Sequence, residues 1–468
     1  MSLLFHTFSI PKHKYVFDAN SNCVFSVDEE QYQALAEIER GIETEENRRI
    51  LQDFQKKGLC LEANIESIRH PDTDILVMHL GKRLEQTTLQ VTQRCNLRCS
   101  YCTYSGLYEN RAHSPKSMSF DTARRAIDMA LSRTEEVPKF VFAFYGGEPL
   151  LEFQLIKDCV EYVKQQAPDR DISFSMTTNG TLLTPDIYGY LIENKFNLLI
   201  SLDGPKQIHD QSRKFPDGRG SYDIIMKNIE AIHEKYPQSR EKLSFNAVAS
   251  PYTDDSCLPS LFQSEEVLSY YNVSMSFISD LYTNEAYSYS DAFSLYYNHE
   301  VCKMLLSILG KLDKKYVSPL ISNQKATLKQ RYESLGRIPK LPTTCHPGGP
   351  CLAGAKRLFI DVDGRFFPCE RVSENSQPMR IGDLEHGFDV EKAKVLINPG
   401  QITQEHCKKC WTITRCTLCA AFSDNLVELS KNMRLSRCQS IRRQCEYDLK
   451  TICFLKESGF NFEEGDFL

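Results

Sequence analysis

The sequence predicts an α/β protein: a partial (β/α)6 barrel, TIM-like in its alternation, with a small α+β module before it and a Cys-rich segment after it. Three observations carry this prediction. Six short apolar runs between Thr87 and Ile278 alternate with stretches long enough for helices. The first 85 residues follow a different rhythm, hairpin then helices. Most of the eighteen cysteines gather at metal-like spacings, in one early cluster and one late array. Short buried strands joined by helix-length crossovers imply a parallel sheet, and six of them fall short of a closed eightfold barrel.

Taken in order, residues 1–85 contain two strand-like runs, Lys14–Asp18 and Cys23–Val27, joined through Asn20-Ser21-Asn22, whose turn chemistry favours a hairpin. Helical segments follow at Asp28–Arg40, with Tyr32, Leu35 and Ile38 on one face, and at Glu45–Lys57, ended by Gly58. In residues 86–283 the strands are predicted at Thr87–Thr92, Phe140–Tyr145, Ile172–Thr177, Leu198–Leu202, Leu243–Val248 and Val273–Ile278. The helices between them fit Phe120–Arg133, Glu152–Gln166, Thr184–Asn194, Tyr222–Tyr236 and Leu258–Tyr270. Residues 284–340, rich in Tyr and Lys at helical spacing, read as a helical linker, and 341–468 carry the cysteine array.

Composition narrows the function classes. At 468 residues and 41% hydrophobic content the chain can bury two or three cores. A net charge of -6, with bases and acids interleaved, leaves no basic surface suited to nucleic acid. The start lacks the basic and apolar pattern of an export signal, and no apolar run is long enough for a membrane span. A soluble, cytoplasmic protein is expected. In that setting cysteines at metal-like spacing are ligands rather than disulfides. Cys23, Cys60, Cys159, Cys257 and Cys302 stand alone and read as packing residues, and Cys445 and Cys453 are left unassigned.

The densest chemistry follows the first strand: Cys95, Cys99 and Cys102 place three thiols within eight residues, with Tyr101 before the last. A closed zinc or cubane site takes four protein ligands, so three leave one iron of a cubane open to a substrate or cofactor. The later strands end in polar or glycine-rich turns where a parallel architecture keeps its active groups. These are Gly146-Gly147-Glu148-Pro149, Thr178-Asn179-Gly180 and Ser201-Leu202-Asp203-Gly204-Pro205.

The Cys-x3-Cys-x2-Cys spacing and these strand-end motifs resemble the radical S-adenosylmethionine (SAM) enzymes, over about residues 87–280. The resemblance implies that Cys95, Cys99 and Cys102 hold a [4Fe-4S] cluster whose open iron chelates SAM. Tyr101 then lies beside the adenine, Gly146, Gly147 and Glu148 meet the methionine amino group, and Ser201 and Arg213 hold its carboxylate. Asn179 and Asp203 become ribose-side contacts. Such a site passes one electron into SAM and yields a 5′-deoxyadenosyl radical that removes hydrogen from an unactivated carbon, the protein's part being to bind, orient and exclude water and oxygen.

The late cysteines, Cys345, Cys351, Cys369, Cys407, Cys410, Cys416, Cys419 and Cys438, resemble the SPASM extension with two auxiliary iron-sulfur clusters, three clusters in all. Asp363-Gly364 reads as a hairpin turn that delivers Cys369. On the SPASM pattern Cys345, Cys351, Cys369 and Cys419 hold the first auxiliary cluster, and Cys407, Cys410, Cys416 and Cys438 the second. Cys416-x2-Cys419 is one residue shorter than the commonest spacing, and if Cys419 does not reach, the first cluster keeps an open iron. By spacing alone, a zinc ribbon of Cys407, Cys410, Cys416 and Cys419 is the alternative.

The N-terminal hairpin and helices resemble the winged-helix module that precedes maturases of ribosomally made peptides, which implies a precursor peptide whose leader docks on a strand edge. The order of parts is similar to maturases that form thioether links in Cys-rich peptides, with flavodoxin or ferredoxin as electron donor. Other radical cross-links, carbon-carbon or carbon-oxygen, are the alternative. So is Cys or Ser oxidation to formylglycine, as in anaerobic sulfatase maturation. In that latter family an Asp after the Cys corresponding to Cys369 is the catalytic base; Glu370 stands there, one methylene longer.

Overall fold

The structure, a computed structural model, describes residues 2–109, 112–251, 267–283, 287–336, 338, 340–349 and 351–463. The N-terminal module is an antiparallel sheet of β1 (Phe5–Ser9), β2 (Lys14–Asp18) and β3 (Cys23–Val27), with β2 in the middle. The hairpin forms where Asn20-Ser21-Asn22 turns, Asn22 taking a positive φ of 51°. Strand β1 went unread because its His and Thr interrupt the apolar pattern, yet Phe5, Thr7 and Phe8 are buried. Helix α1 (Glu29–Glu39) starts on a capping box between Asp28 and Gln31, and α2 (Glu45–Lys56) on the Thr44 hydroxyl.

The six barrel strands are β4 (Gln86–Thr92), β5 (Phe140–Gly146), β6 (Ile172–Thr178), β7 (Phe196–Ser201), β8 (Leu243–Ala249) and β9 (Asn272–Phe277). They lie side by side in chain order and all parallel. The crossover helices are α3 (Phe120–Leu131), α4 (Phe153–Gln166), α5 (Pro185–Glu193), the short α6 (Lys206–Ser212) and α7 (Tyr222–Lys235). Their apolar faces cover the outside of the sheet, so Leu89, Val91, Phe142, Ile200 and Phe245 are sealed there. The helix expected over Leu258–Tyr270 lies outside the described residues except for a terminal 3-10 turn at Leu268–Tyr270.

The linker contributes α8 (Asp291–Ile308) and α9 (Ser322–Glu333). Past it, the expected hairpin is β10 (Leu358–Ile360) and β11 (Arg365–Phe367), turning on Gly364 at φ 80°. It does not stand apart: β10 pairs in parallel with β4, so the Cys-rich segment extends the barrel sheet itself. Helix α10 (Val390–Ile397), α11 (Lys431–Ser436) and the long α12 (Cys438–Glu457) complete this region. A second core joins Phe8, Phe17 and Ile65 of the N-terminal module to Ile413 and Leu449, which fastens the module to the cysteine array. No helix among the described residues is long and apolar enough to cross a membrane.

Candidate active site and metal centres

The loop after β4 folds back beside the ends of β5, β6 and β7. Its shape is fixed by backbone bonds from Arg98 to the Lys214 carbonyl (2.7 Å) and from Ser100 to that of Ser212 (3.1 Å). The paired glycines at the end of β5 let it approach. A Cβ on Gly147 would stand 2.1 Å from the Arg94 carbonyl oxygen and 3.1 Å from the Cys95 Cβ, and one on Gly146 2.0 Å from the Thr92 oxygen.

The three thiols act on one another electrostatically, and burial pushes Cys95 up to about 11 and Cys99 up to about 12. The Leu97 amide donates to the Cys95 sulfur at 3.3 Å, the Tyr104 amide to the Cys102 sulfur at 3.4 Å, and Asn179 Nδ2 to the Cys95 sulfur at 3.9 Å. Three thiols in one loop with amide donors on the sulfurs are a donor set that fits an iron-sulfur cluster, whose potential such bonds help to set.

Around this loop the strand-end residues interlock. Glu148 is fully buried; its oxygens accept from the Thr178 hydroxyl (2.7 Å) and the Asn179 (2.7 Å) and Leu150 (3.1 Å) amides, while burial raises its pKa. Asn179 also donates to Asn96 Oδ1 at 2.8 Å, so it braces the cysteine loop. Asp203, deeply buried, accepts from Arg213 Nε (2.8 Å) and Nη2 (3.0 Å), from the Tyr101 hydroxyl and from the Val248 amide (3.1 Å). Burial pushes against ionisation of Asp203, but the Arg213 guanidinium prevails and holds its carboxyl below the usual range. The SAM resemblance gives Arg213 to a methionine carboxylate; here two of its nitrogens are engaged by Asp203 and it lies over the Tyr101 ring (5.4 Å). Ser201 is the last residue of β7, on the same rim.

The late cysteines form two groups. Cys407, Cys410, Cys416 and Cys438 line one cavity of about 260 Å³. One water's share of space is roughly 30 Å³, so four thiols around this cavity suit a multi-atom cluster better than a single ion. Among the described residues no group of three or more His, Cys, Asp and Glu side chains stands close enough to hold one metal ion. Cys419, which a zinc ribbon would require here, lies instead with Cys351 and Cys369, the three thiols acting electrostatically on one another. Burial pushes Cys369 up to about 12. Cys345 is placed differently. Thr344–Cys345 is a short strand paired with Ser67–Ile68 of the N-terminal module, and the thiol contacts the Pro342 carbonyl at 3.3 Å.

The inner face of the barrel carries an open cavity of about 370 Å³ lined by Thr88, Tyr145, Thr177 and Ser244 from alternate strand positions, with Arg357 and Glu370 at its rim. Arg357 Nη1 lies 3.4 Å from Glu370 Oε1. Arg357 was missed from the sequence, although the Phe359↔Phe367 register, carried two residues outward along the hairpin, sets it opposite Cys369, the residue before Glu370. Nearer the cysteine loop, Gln90 donates to the Tyr104 hydroxyl (2.8 Å) and to Glu374 (2.7 Å), a bridge between the first cysteine loop and the one after Cys369. No sequence motif marks it.

Comparison with known proteins agrees with this geometry. A profile described as the Radical SAM superfamily matches residues 89–262. The cysteine-type anaerobic sulfatase-maturating enzyme of Clostridium novyi (strain NT) is 32% identical over 168 residues, 35% of this chain and 43% of that protein. The radical SAM cyclopropyl synthase TigE of Paramaledivibacter caminithermalis is 28% identical over 230 residues, 46% of each. The matches thus span less than half the length of either curated relative. The solved structure of native anSMEcpe with bound AdoMet and Cp18Cys peptide superposes with a TM-score of 0.57 at 20% identity, over 80% of this chain and 99% of that one, a likeness of fold. With the three-thiol loop, the interlocked strand ends and the matching profile together, residues 89–262 are a radical SAM domain.

Proposed function

We propose that this chain is a radical SAM maturase that takes hydrogen from a Cys-bearing peptide and closes a thioether link between its sulfur and a carbon. The observation that carries the reading is the cavity on the inner face of the barrel, lined by Thr88, Tyr145 and Thr177, with Glu370, next to Cys369, at its rim. When bound, SAM and its cluster supply a radical that abstracts one hydrogen atom, and the auxiliary centres accept the electron left over when sulfur joins carbon.

The chain's own residues do the rest. Glu370 takes the thiol proton of the peptide Cys, with Arg357 keeping the carboxylate turned toward the cavity. Thr88, Tyr145 and Thr177 line the space that holds the acceptor side chain. The precursor's leader adds as an extended strand along the outer edge of β3, which pairs only with β2 among the described residues. Flavodoxin or ferredoxin serves as donor of the initiating electron, and three clusters are held by the cysteines grouped above.

A second reading, oxidation of a substrate Cys or Ser to formylglycine, is favoured by the sulfatase-maturating relative, whose name states that activity. Anaerobic reaction with a Cys-rich precursor peptide separates the two. Thioether formation removes a pair of hydrogens per link and consumes alkylatable thiols, whereas formylglycine is trapped by a hydrazide. Thiols that stay alkylatable after that mass loss overturn the thioether reading. Glu370→Gln should still cleave SAM but leave the peptide unmodified; modification at the wild-type rate would remove Glu370 from the mechanism.

A further inference from the structure

Arg434 is the largest fully buried side chain among the described residues, only 1% exposed, and it lies on α11 against the cavity of Cys407, Cys410, Cys416 and Cys438. Nη1 donates to the Leu418 carbonyl at 2.9 Å and Nη2 to the Pro347 carbonyl at 2.7 Å, and the guanidinium also bonds the Cys407 thiol. Among the described residues no carboxylate pairs with it. Burying a charge costs several kcal/mol unless an opposite charge is supplied, and an Arg cannot escape by losing its proton. The missing anion therefore has to come from whatever fills the space the guanidinium faces.

Four thiolates around a cluster carry net negative charge, and Arg434 lines the same cavity as Cys407, Cys410, Cys416 and Cys438. Arg442, the other cation at this cavity, differs. It is exposed, and its Nη2 donates to the Cys410 sulfur at 3.8 Å.

Resting on the reading that these cysteines hold an auxiliary iron-sulfur cluster, we propose that Arg434 is the built-in counter-charge of that cluster. It raises the cluster's reduction potential and thereby fits it to accept the electron released in the reaction. Because its two carbonyl partners lie in the Cys345–Cys351 and Cys416–Cys419 loops, the same guanidinium ties together the ligand loops of both auxiliary centres. Arg434 is a positioning residue acting through charge. A cation held close to a cluster in a dry site stabilises the more negative, reduced state, which moves the midpoint upward.

The test uses the anaerobically purified holoenzyme, measuring iron per chain and the cluster midpoints by EPR-monitored titration. Arg434→Met should keep the iron but lower the midpoint of one cluster, Arg434→Lys should return it most of the way, and Arg442→Met should move it less. If Arg434→Met loses that cluster's iron and Arg434→Lys regains it, charge is again the cause. An unchanged midpoint in iron-replete Arg434→Met overturns the proposal. So does iron loss in both Met and Lys variants, which would make the two carbonyl bonds the whole role. Failure of the underlying reading looks different: Cys438→Ala would then leave the wild-type iron count unaltered.

Discussion

The loop of Cys95, Cys99 and Cys102 and the cavity of Cys407, Cys410, Cys416 and Cys438 both gather thiols, but by opposite means. The first set lies within eight residues and sits in a lattice of side chains complete in itself: Glu148 accepts three hydrogen bonds, and Asp203 and Arg213 satisfy each other. The second set is drawn from separate short elements, Gln404–Cys407, the turns that follow it and the start of α12, around a buried cation with no carboxylate partner among the described residues. One set of thiols is local and braced by the strand ends beside it, while the other is gathered from elements farther apart in the chain. Metal-built sites of the latter kind draw their folding energy from the ligand.

Removing iron is the strongest way to break this contrast. In the anaerobic chain treated with a chelator, hydrogen exchange should rise sharply over Gln404–Ser423 while β4 to β8 keep their protection; equal loosening of both regions would erase the distinction. Next in size is Asp203→Asn, which leaves Arg213 buried without its anion. Breaking such a pair typically costs about 3–5 kcal/mol, read from denaturant unfolding, and a loss no larger than that of a surface pair, about 1 kcal/mol, would show that the lattice is not what preforms the socket.

The third effect is pH-linked and confined to the same lattice. His209 accepts from the Asp203 amide and bonds the Ser221 hydroxyl, and burial pushes it down to about 4. Its folded value lies below the unfolded one of about 6.5, so it is the unfolded chain that gains the proton. Stability is therefore full above about pH 6.5 and falls, by at most roughly 3 kcal/mol, as pH drops toward 4. Unfolding curves at pH 7 and pH 5 should show this slope, and His209→Gln should flatten it.

What the sequence made legible follows the same divide. The barrel strands, their order and the three-thiol loop could be read because parallel strands are continuous apolar runs and the ligands are local. The grouping of Cys407, Cys410, Cys416 and Cys438 came only through resemblance, since no local rule carries a pairing from the Cys407 loop to the start of α12. The extension of the barrel by β10 was hidden because a three-residue strand has too little pattern to name its partner. Arg213 and Asp203 were each picked out, but not as each other's partner, and Arg434 carries no motif at all: a lone Arg in a short helix reads as surface until its burial is known.

In the function proposed above, Cys95, Cys99 and Cys102 form a three-thiolate socket for a SAM-cleaving cluster. Release of 5′-deoxyadenosine by the anaerobic, iron-loaded chain under a strong reductant tests it most directly. The wild-type chain should release it, and the Cys95→Ala, Cys99→Ala, Cys102→Ala triple variant should release none while retaining the iron of its auxiliary centres. Release that persists in the triple variant, or a wild-type chain that binds iron yet never cleaves SAM, would contradict the account.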